Sequence, residues 1–471
     1  MKSSLRQHVH VLSACACILA TFATNAAAQS TLPAPMRASI DSIVRDALAS
    51  TGTPSVSIAV VKNGEIAYAN AYGSARLSPN LPAAPSMRYS IGSVSKQFTA
   101  TAVLMLAEQH KLSLDDRVSR WLPSLTRANE VTVRELLAMQ SGYQDYWPED
   151  YVMTSMLVPT SAQHILDVWG RKPLDFDPGT RWQYSNTNYV IAGRIVEMVS
   201  GMPLVEFLRR RVFTPLRLHS VLITDEGALG PTDPERYERF GLGPPRVAPK
   251  EANGWMFAAG ELAMTASDLA RWDIAMMDRR LLSPASYHAQ QSDIPLKDGR
   301  ASGYGLGVFV GSLDGHRMLQ HGGEVSGFTS RNNVFPDDRV AVVVLSNLFV
   351  TDAPSTIARA VSELLLAEPD TARERLITRV RDIVAGLQHG TIDRSQLTPF
   401  ANAWFSEQAL ADFSSSLSPL GSCADVSPTS RSLRGGMTYR GFLVRCGGKA
   451  LSVSTFIMPD GRFEQFIITP E

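Results

Sequence analysis

Strand-forming residues gather at both ends of the first 366 residues of this chain, and helix-forming residues fill the interval. Near the start, residues 55–61 and 65–72 flank Lys62-Asn63-Gly64. Asn-Gly between two β-type runs is a strong hairpin signal, because both residues accept the positive φ that a two-residue turn demands. Far downstream stand four more strand-like runs, 305–310, 316–320, 327–335 and 340–345, and a helical stretch over 354–366. Between them, periodicity predicts helices near 94–109, 132–139, 162–169, 188–200, 204–212 and 265–277, with another over 36–50 at the front. A sheet must be covered by other elements to bury its apolar face. The order therefore implies an α/β (α+β) domain: one antiparallel sheet built from both ends of the segment and flanked by helices, with a helical region inserted.

Residues 224–255 are rich in Pro, Gly and charge, a composition expected of a rim or lid over a site. Residues 367–390 read as a helical connector, and 391–471 as a small α+β domain with a helical stretch at 399–413 followed by short strands. Its aromatics Phe400, Trp404, Phe405 and Phe413 are expected to build a core. The first 28 residues have the pattern of an export signal: Lys2 and Arg6, an apolar run from Val11 to Phe22, then Ala26-Ala27-Ala28. The run is too short to span a membrane. A second reading makes Leu12-Ser13-Ala14-Cys15 a lipoprotein processing site with Cys15 lipidated. Either way the mature chain is expected outside the cytoplasm, periplasmic or secreted. There Cys423 and Cys446 form a candidate disulfide, with two buried free thiols as the alternative. Lys plus Arg and Asp plus Glu both number 45, so no global charge points to nucleic acid. No phosphate-binding loop, dinucleotide fingerprint or metal-ligand cluster stands out, and no cofactor is implied.

Chemistry concentrates in three places. Only eight lysines occur, and Lys96 alone has a serine, Ser93, three residues before it. One helical turn separates the two, which puts them on one face. A serine hydroxyl attacks only when a base takes its proton, and a lysine does so if burial lowers its pKa. Phe98, Ala100 and Val103 surround Lys96 in sequence and predict that burial. The second place is Tyr184-Ser185-Asn186. A phenol beside an ammonium is expected to titrate low enough to relay protons, and an Asn amide both donates to a substrate carbonyl and accepts from Lys96. Tyr68-Ala69-Asn70 has the same pattern but falls in the hairpin. The third place is His321-Gly322-Gly323-Glu324. Two glycines on an edge strand let a substrate backbone approach, and the N–H groups of Glu324 and Ser93 are placed to hold an oxyanion. Lys62-Asn63-Gly64 and Lys297-Asp298-Gly299 are lysine versions of this string, the first a hairpin turn and the second in a polar loop.

With these strings in order, together with TVRELLAMQSGY, GELAMTASDLARW, YGLGVFV and VVVLSN, the chain resembles the serine β-lactamase-like family: class C β-lactamases, DD-carboxypeptidases, and related esterases and D-aminopeptidases. The resemblance covers roughly 36–366 and implies the β-lactamase/DD-peptidase-like fold. By it, Ser93 is the acylated nucleophile, Lys96 its base partner and Tyr184 a proton relay. Asn186, His321, Gly323 and Glu324 line the substrate. His321 stands where β-lactamases and penicillin-binding proteins carry lysine. A largely neutral imidazole suits a substrate carboxylate poorly, so the expectation is a serine hydrolase of esters or amides acting on a small molecule or peptide. A β-lactamase or DD-carboxypeptidase proper, and a non-catalytic binder on the same fold, are the alternatives. The acyl and leaving groups are left to loops such as 143–160 and 224–257.

Overall fold

The computed structural model describes residues 31–367 and 371–471; the export segment, with Cys15, lies outside the described residues. The chain forms two compact units, divided between Leu366 and Ala367.

The first unit is built on a seven-stranded antiparallel sheet. Its strands are β1 (Ser55–Lys62), β2 (Glu65–Leu77), β3 (Asn80–Pro82), β4 (Phe309–Leu313), β5 (His316–Val325), β6 (Phe328–Phe335) and β7 (Val340–Ser346), in the order β3-β2-β1-β7-β6-β5-β4. The two ends of the segment meet where β1 pairs with β7. Asn63 and Gly64 both take positive φ, 56° and 79°, and close the first hairpin. Alternation decides which face each residue serves. Val56, Ile58, Val60, Val342 and Val344 pack under the helices Ala34–Thr51 and Ala353–Leu366. Ala59, Val61, Val343 and Leu345 face the inserted helical region. There the helix Lys96–Glu108 is buried almost all round, and Phe98 stacks on Trp272 with ring centroids 4.1 Å apart.

Two local expectations change. The run at 305–310 does not begin a strand; β4 starts at Phe309. Gly307 instead turns with φ +84°, and a Cβ there would meet the Lys96 carbonyl at 3.0 Å. The stretch 224–255 is not merely a loose rim. It is largely irregular, yet Tyr237, Ala248 and Trp255 are buried in the unit.

The second unit packs three helices, Thr371–Gln388, Pro399–Trp404 and Glu407–Leu417, with a four-stranded antiparallel meander, Asp425–Arg434, Met437–Cys446, Lys449–Ile457 and Phe463–Pro470. The helix read from sequence as a connector supplies core residues Val380, Ile383, Val384 and Leu387, which pack with Phe442, Val444, Val453 and Phe463. Of the four aromatics expected inside, Phe405 is buried and Phe413 packs at the core edge, whereas Phe400 and Trp404 are exposed. Cys423 and Cys446 are joined by a disulfide. Among the described residues, no helix is long and apolar enough to cross a membrane.

Candidate active site

Ser93 sits in a 3₁₀ turn, Gly92–Ser95, that runs directly into the helix beginning at Lys96. The turn is pinned at Ile91, whose N–H donates to the Leu262 carbonyl at 2.9 Å and whose carbonyl accepts from Ser330 Oγ at 2.9 Å. Gly92 has φ +51°, and a Cβ on it would stand 2.8 Å from the Glu324 nitrogen. A Cβ on Gly323 would stand 1.9 Å from the Ile91 carbonyl. These two glycines bring the serine turn against β5, whose residues 321–325 extend beyond the pairing with β4. The Glu324 N–H and Ser93 thereby share one corner of the site.

Lys96 is wholly buried. Its Nζ donates to Ser93 Oγ at 2.8 Å, Asn186 Oδ1 at 2.8 Å and the Ala259 carbonyl at 2.9 Å, so all three of its donors are used. Burial brings its pKa down to about 7, while Asp145 nearby pulls the other way. An amine in that range loses its proton near neutrality and is suited to take one from Ser93.

Asn186 is the first residue of the helix Asn186–Ser200. Its Oδ1 faces Lys96, and its Nδ2 donates to Asp145 Oδ2 at 3.2 Å. The Tyr184 ring lies under the Lys96 ammonium, 4.9 Å from Nζ to centroid. The Tyr184 hydroxyl is buried without a hydrogen-bond partner of good geometry. Burial pushes its pKa well above that of a free phenol, Asp145 adds to the rise, and Ser93 offsets it only in part. The expectation of a low-titrating tyrosine is therefore corrected: desolvation dominates, and Tyr184 stays protonated at neutral pH.

His321 is buried too, and both ring nitrogens are engaged. Nδ1 faces the Gly322 carbonyl at 2.5 Å, and a carbonyl only accepts, so Nδ1 carries the hydrogen. Nε2 then accepts from the Tyr304 hydroxyl at 3.0 Å. Burial, with Lys96 close by, drives the imidazole pKa down to about 3. Expected to bind substrate, His321 lines the cavity with both ring nitrogens already bonded, and it packs against Tyr184, Tyr304 and Phe309.

Ser93, Asp145, Tyr184, Asn186, His321, Gly323 and Glu324 line a cavity of about 520 Å³ that also takes in Trp147, Glu149, Asp150, Met256, Arg331 and Asp352. Carboxylates crowd its mouth. The Glu324 side chain reaches solvent, yet partial desolvation, then Asp150 and Asp352, raise its pKa. The other copies of the motifs are placed elsewhere. Tyr68 donates to Asp41 at 2.8 Å on the hairpin. Lys297 donates to the Pro178 carbonyl at 2.5 Å and does not line the cavity. Sequence reasoning missed Asp145, the Ala259 carbonyl and Tyr304. Asp145 lies in the loop 143–160 without a motif of its own, and a backbone carbonyl has no sequence signal at all.

A family profile described as Beta-lactamase matches residues 40–366. Penicillin-binding protein 4* of Bacillus subtilis (strain 168) is 27% identical over 337 residues, covering 68% of this chain and 74% of that protein. A D-aminopeptidase of Brucella anthropi is 28% identical over 342 residues, covering 72% of this chain and 64% of the relative. Among solved structures, the octameric penicillin-binding protein homologue from Pyrococcus abyssi superposes with a TM-score of 0.64 at 22% identity, over 92% of this chain and 99% of its own. D-amino acid amidase from Ochrobactrum anthropi SV3 does so with a TM-score of 0.61 at 24% identity, over 72% of this chain and 99% of its own. At these identities the two structures show the shared fold alone.

Proposed function

The chain belongs to the β-lactamase family and is a serine hydrolase, and from that premise we propose that it cleaves an ester or amide through an acyl-enzyme on Ser93, outside the cytoplasm. The observation that carries this reading is the 2.8 Å contact between Ser93 Oγ and the buried Lys96 Nζ. Neutral Lys96 takes the Ser93 proton as Oγ attacks the carbonyl. The tetrahedral oxyanion is held by the N–H groups of Ser93 and Glu324, each contributing about 3 kcal/mol. Tyr184, protonated at neutral pH, passes a proton to the leaving group and takes one back from the Lys96 ammonium, which is thereby neutral again. Water then frees the acyl group by the reverse route, with Lys96 as base.

The acyl donor is one without an essential carboxylate. Neutral His321 offers no charge where a lysine would grip one, and Asp145, Glu149, Asp150, Glu324 and Asp352 line the cavity against a single guanidinium, Arg331. A neutral ester, or an amide bearing a free amine as in the D-aminopeptidase relatives, fits this charge balance. Arg331 and the penicillin-binding relatives favour a second reading, a β-lactam or peptide carboxylate as substrate. A panel of p-nitrophenyl esters, D-amino-acid amides and nitrocefin, assayed on the protein lacking residues 1–28, separates them. Ester or amide turnover well above nitrocefin turnover supports the first, and the reverse supports the second. Export is tested by fractionating cells that express the full chain: a product shortened by 28 residues in the periplasm or medium supports it.

A further inference from the structure

Asp145 lies between two members of the site without belonging to any motif. One oxygen, Oδ1, accepts from the Asn186 backbone N–H at 2.9 Å and from the Trp147 N–H at 3.2 Å. The other, Oδ2, accepts from Asn186 Nδ2 at 3.2 Å. A carboxylate only accepts, so the nitrogen of the Asn186 amide must turn toward it, and the amide oxygen must turn toward Lys96. Without that constraint an Asn amide is free to sit either way round. With Nδ2 toward Lys96, an N–H would face the ammonium and Nζ would lose one of its three acceptors.

We propose that Asp145 is a positioning residue for the acyl transfer: its carboxylate fixes the Asn186 amide with the oxygen on Lys96. This rests on the serine-hydrolase reading above. Lys96 faces Asp145 from the loop, Tyr184 and Tyr189 from the segment around the helix Asn186–Ser200, and His321 from β5. Of these, both tyrosines are held protonated by burial and the imidazole is neutral, which leaves Asp145 to act on Lys96; burial raises the pKa of Asp145 itself, and the Asn186 and Trp147 N–H groups and Lys96 favour its charged form. Tyr146 and Tyr184 face Asp145 in turn and feel its charge. Glu149 and Asp150 follow on the same loop and line the same cavity. Asp145 thus works against burial at Lys96, and the balance of the two sets the pH at which the amine becomes a base.

The test is the rate constant for labelling by a fluorophosphonate probe, followed by intact mass across the pH range, for the wild type, Asp145→Asn and Asp145→Glu. In Asp145→Asn the plateau rate should fall about 10-fold or more, and the acid limb should move to lower pH by about one unit. In Asp145→Glu, which keeps the charge but displaces it, the midpoint should stay with the wild type while the rate falls. Rate loss in Asp145→Asn with an unmoved midpoint would reduce the residue to a structural one and overturn the proposal. So would Asp145→Glu labelling at the wild-type rate, which decides the matter if Asp145→Asn fails to fold. A wild type that never labels overturns the hydrolase reading and this proposal with it. A wild type that labels beside unchanged variants removes only Asp145.

Discussion

At the scale of single residues, Lys96 is set by two opposed influences, burial and the charge of Asp145, and comes out near neutrality. The sign follows: below about 7 the amine is protonated and cannot accept from Ser93, so acylation should rise with pH through that range and level off above it. His321 should leave no trace in that profile, because its imidazole is already neutral. Asn cannot titrate, so a pH–rate series on His321→Asn should keep the acid limb in place while lowering the rate. A limb that vanished would assign the titration to the imidazole instead. Ser93, Lys96, Asn186 and Tyr184 were legible in the sequence because each belongs to a string whose spacing is fixed by one helix turn or one helix start. Asp145 was not. Its partner Asn186 is 41 residues away, and only the fold brings the two together.

At the scale of elements, the site depends on a helix start pressed against a strand. Gly92 makes that contact possible through its positive φ and its missing Cβ. Gly92→Ala should destabilise the unit by about 1–3 kcal/mol. It should also cost acylation beyond what that loss explains, because the Glu324 N–H would be displaced from Ser93. Denaturant melts beside labelling rates measure both; full labelling in a destabilised variant would separate the contact from the chemistry. The wall segment after 255 shows why composition misled for the stretch before it. Its polar residues are not all on a rim: Glu261 is buried, accepts from the Ala258 N–H at 3.0 Å, and stands two residues from the carbonyl that holds Lys96. Burial, with Asp225 nearby, raises its pKa from 4.5 to about 8. The folded state therefore binds a proton that the unfolded state has released. That stability is fully present below about 4.5 and is lost as pH rises through about 8. Glu261→Gln should flatten the fall in melting temperature between those values. An identical fall in wild type and variant would contradict it.

At the scale of the whole molecule, the sheet was readable because strand-like runs stand at both ends of the first segment, and the Asn63-Gly64 turn fixes the first hairpin. The boundary of the second unit was harder. The helix Thr371–Gln388 carries charge along most of its surface, which reads as a solvated connector, and the stripe Val380, Ile383, Val384 and Leu387 shows its meaning only once the meander is there to cover it. The substrate is least legible at this scale, since the mouth of the cavity is assembled from separate loops and strands. The central claim is nevertheless local: one serine carries the acyl group. Intact mass with peptide mapping, after brief exposure of the wild type and Ser93→Ala to a slow p-nitrophenyl ester, tests it directly. The account expects a single adduct on the peptide containing Ser93 and none in a folded Ser93→Ala variant. An adduct that persists in Ser93→Ala, or ester turnover by that variant at the wild-type rate, would contradict it.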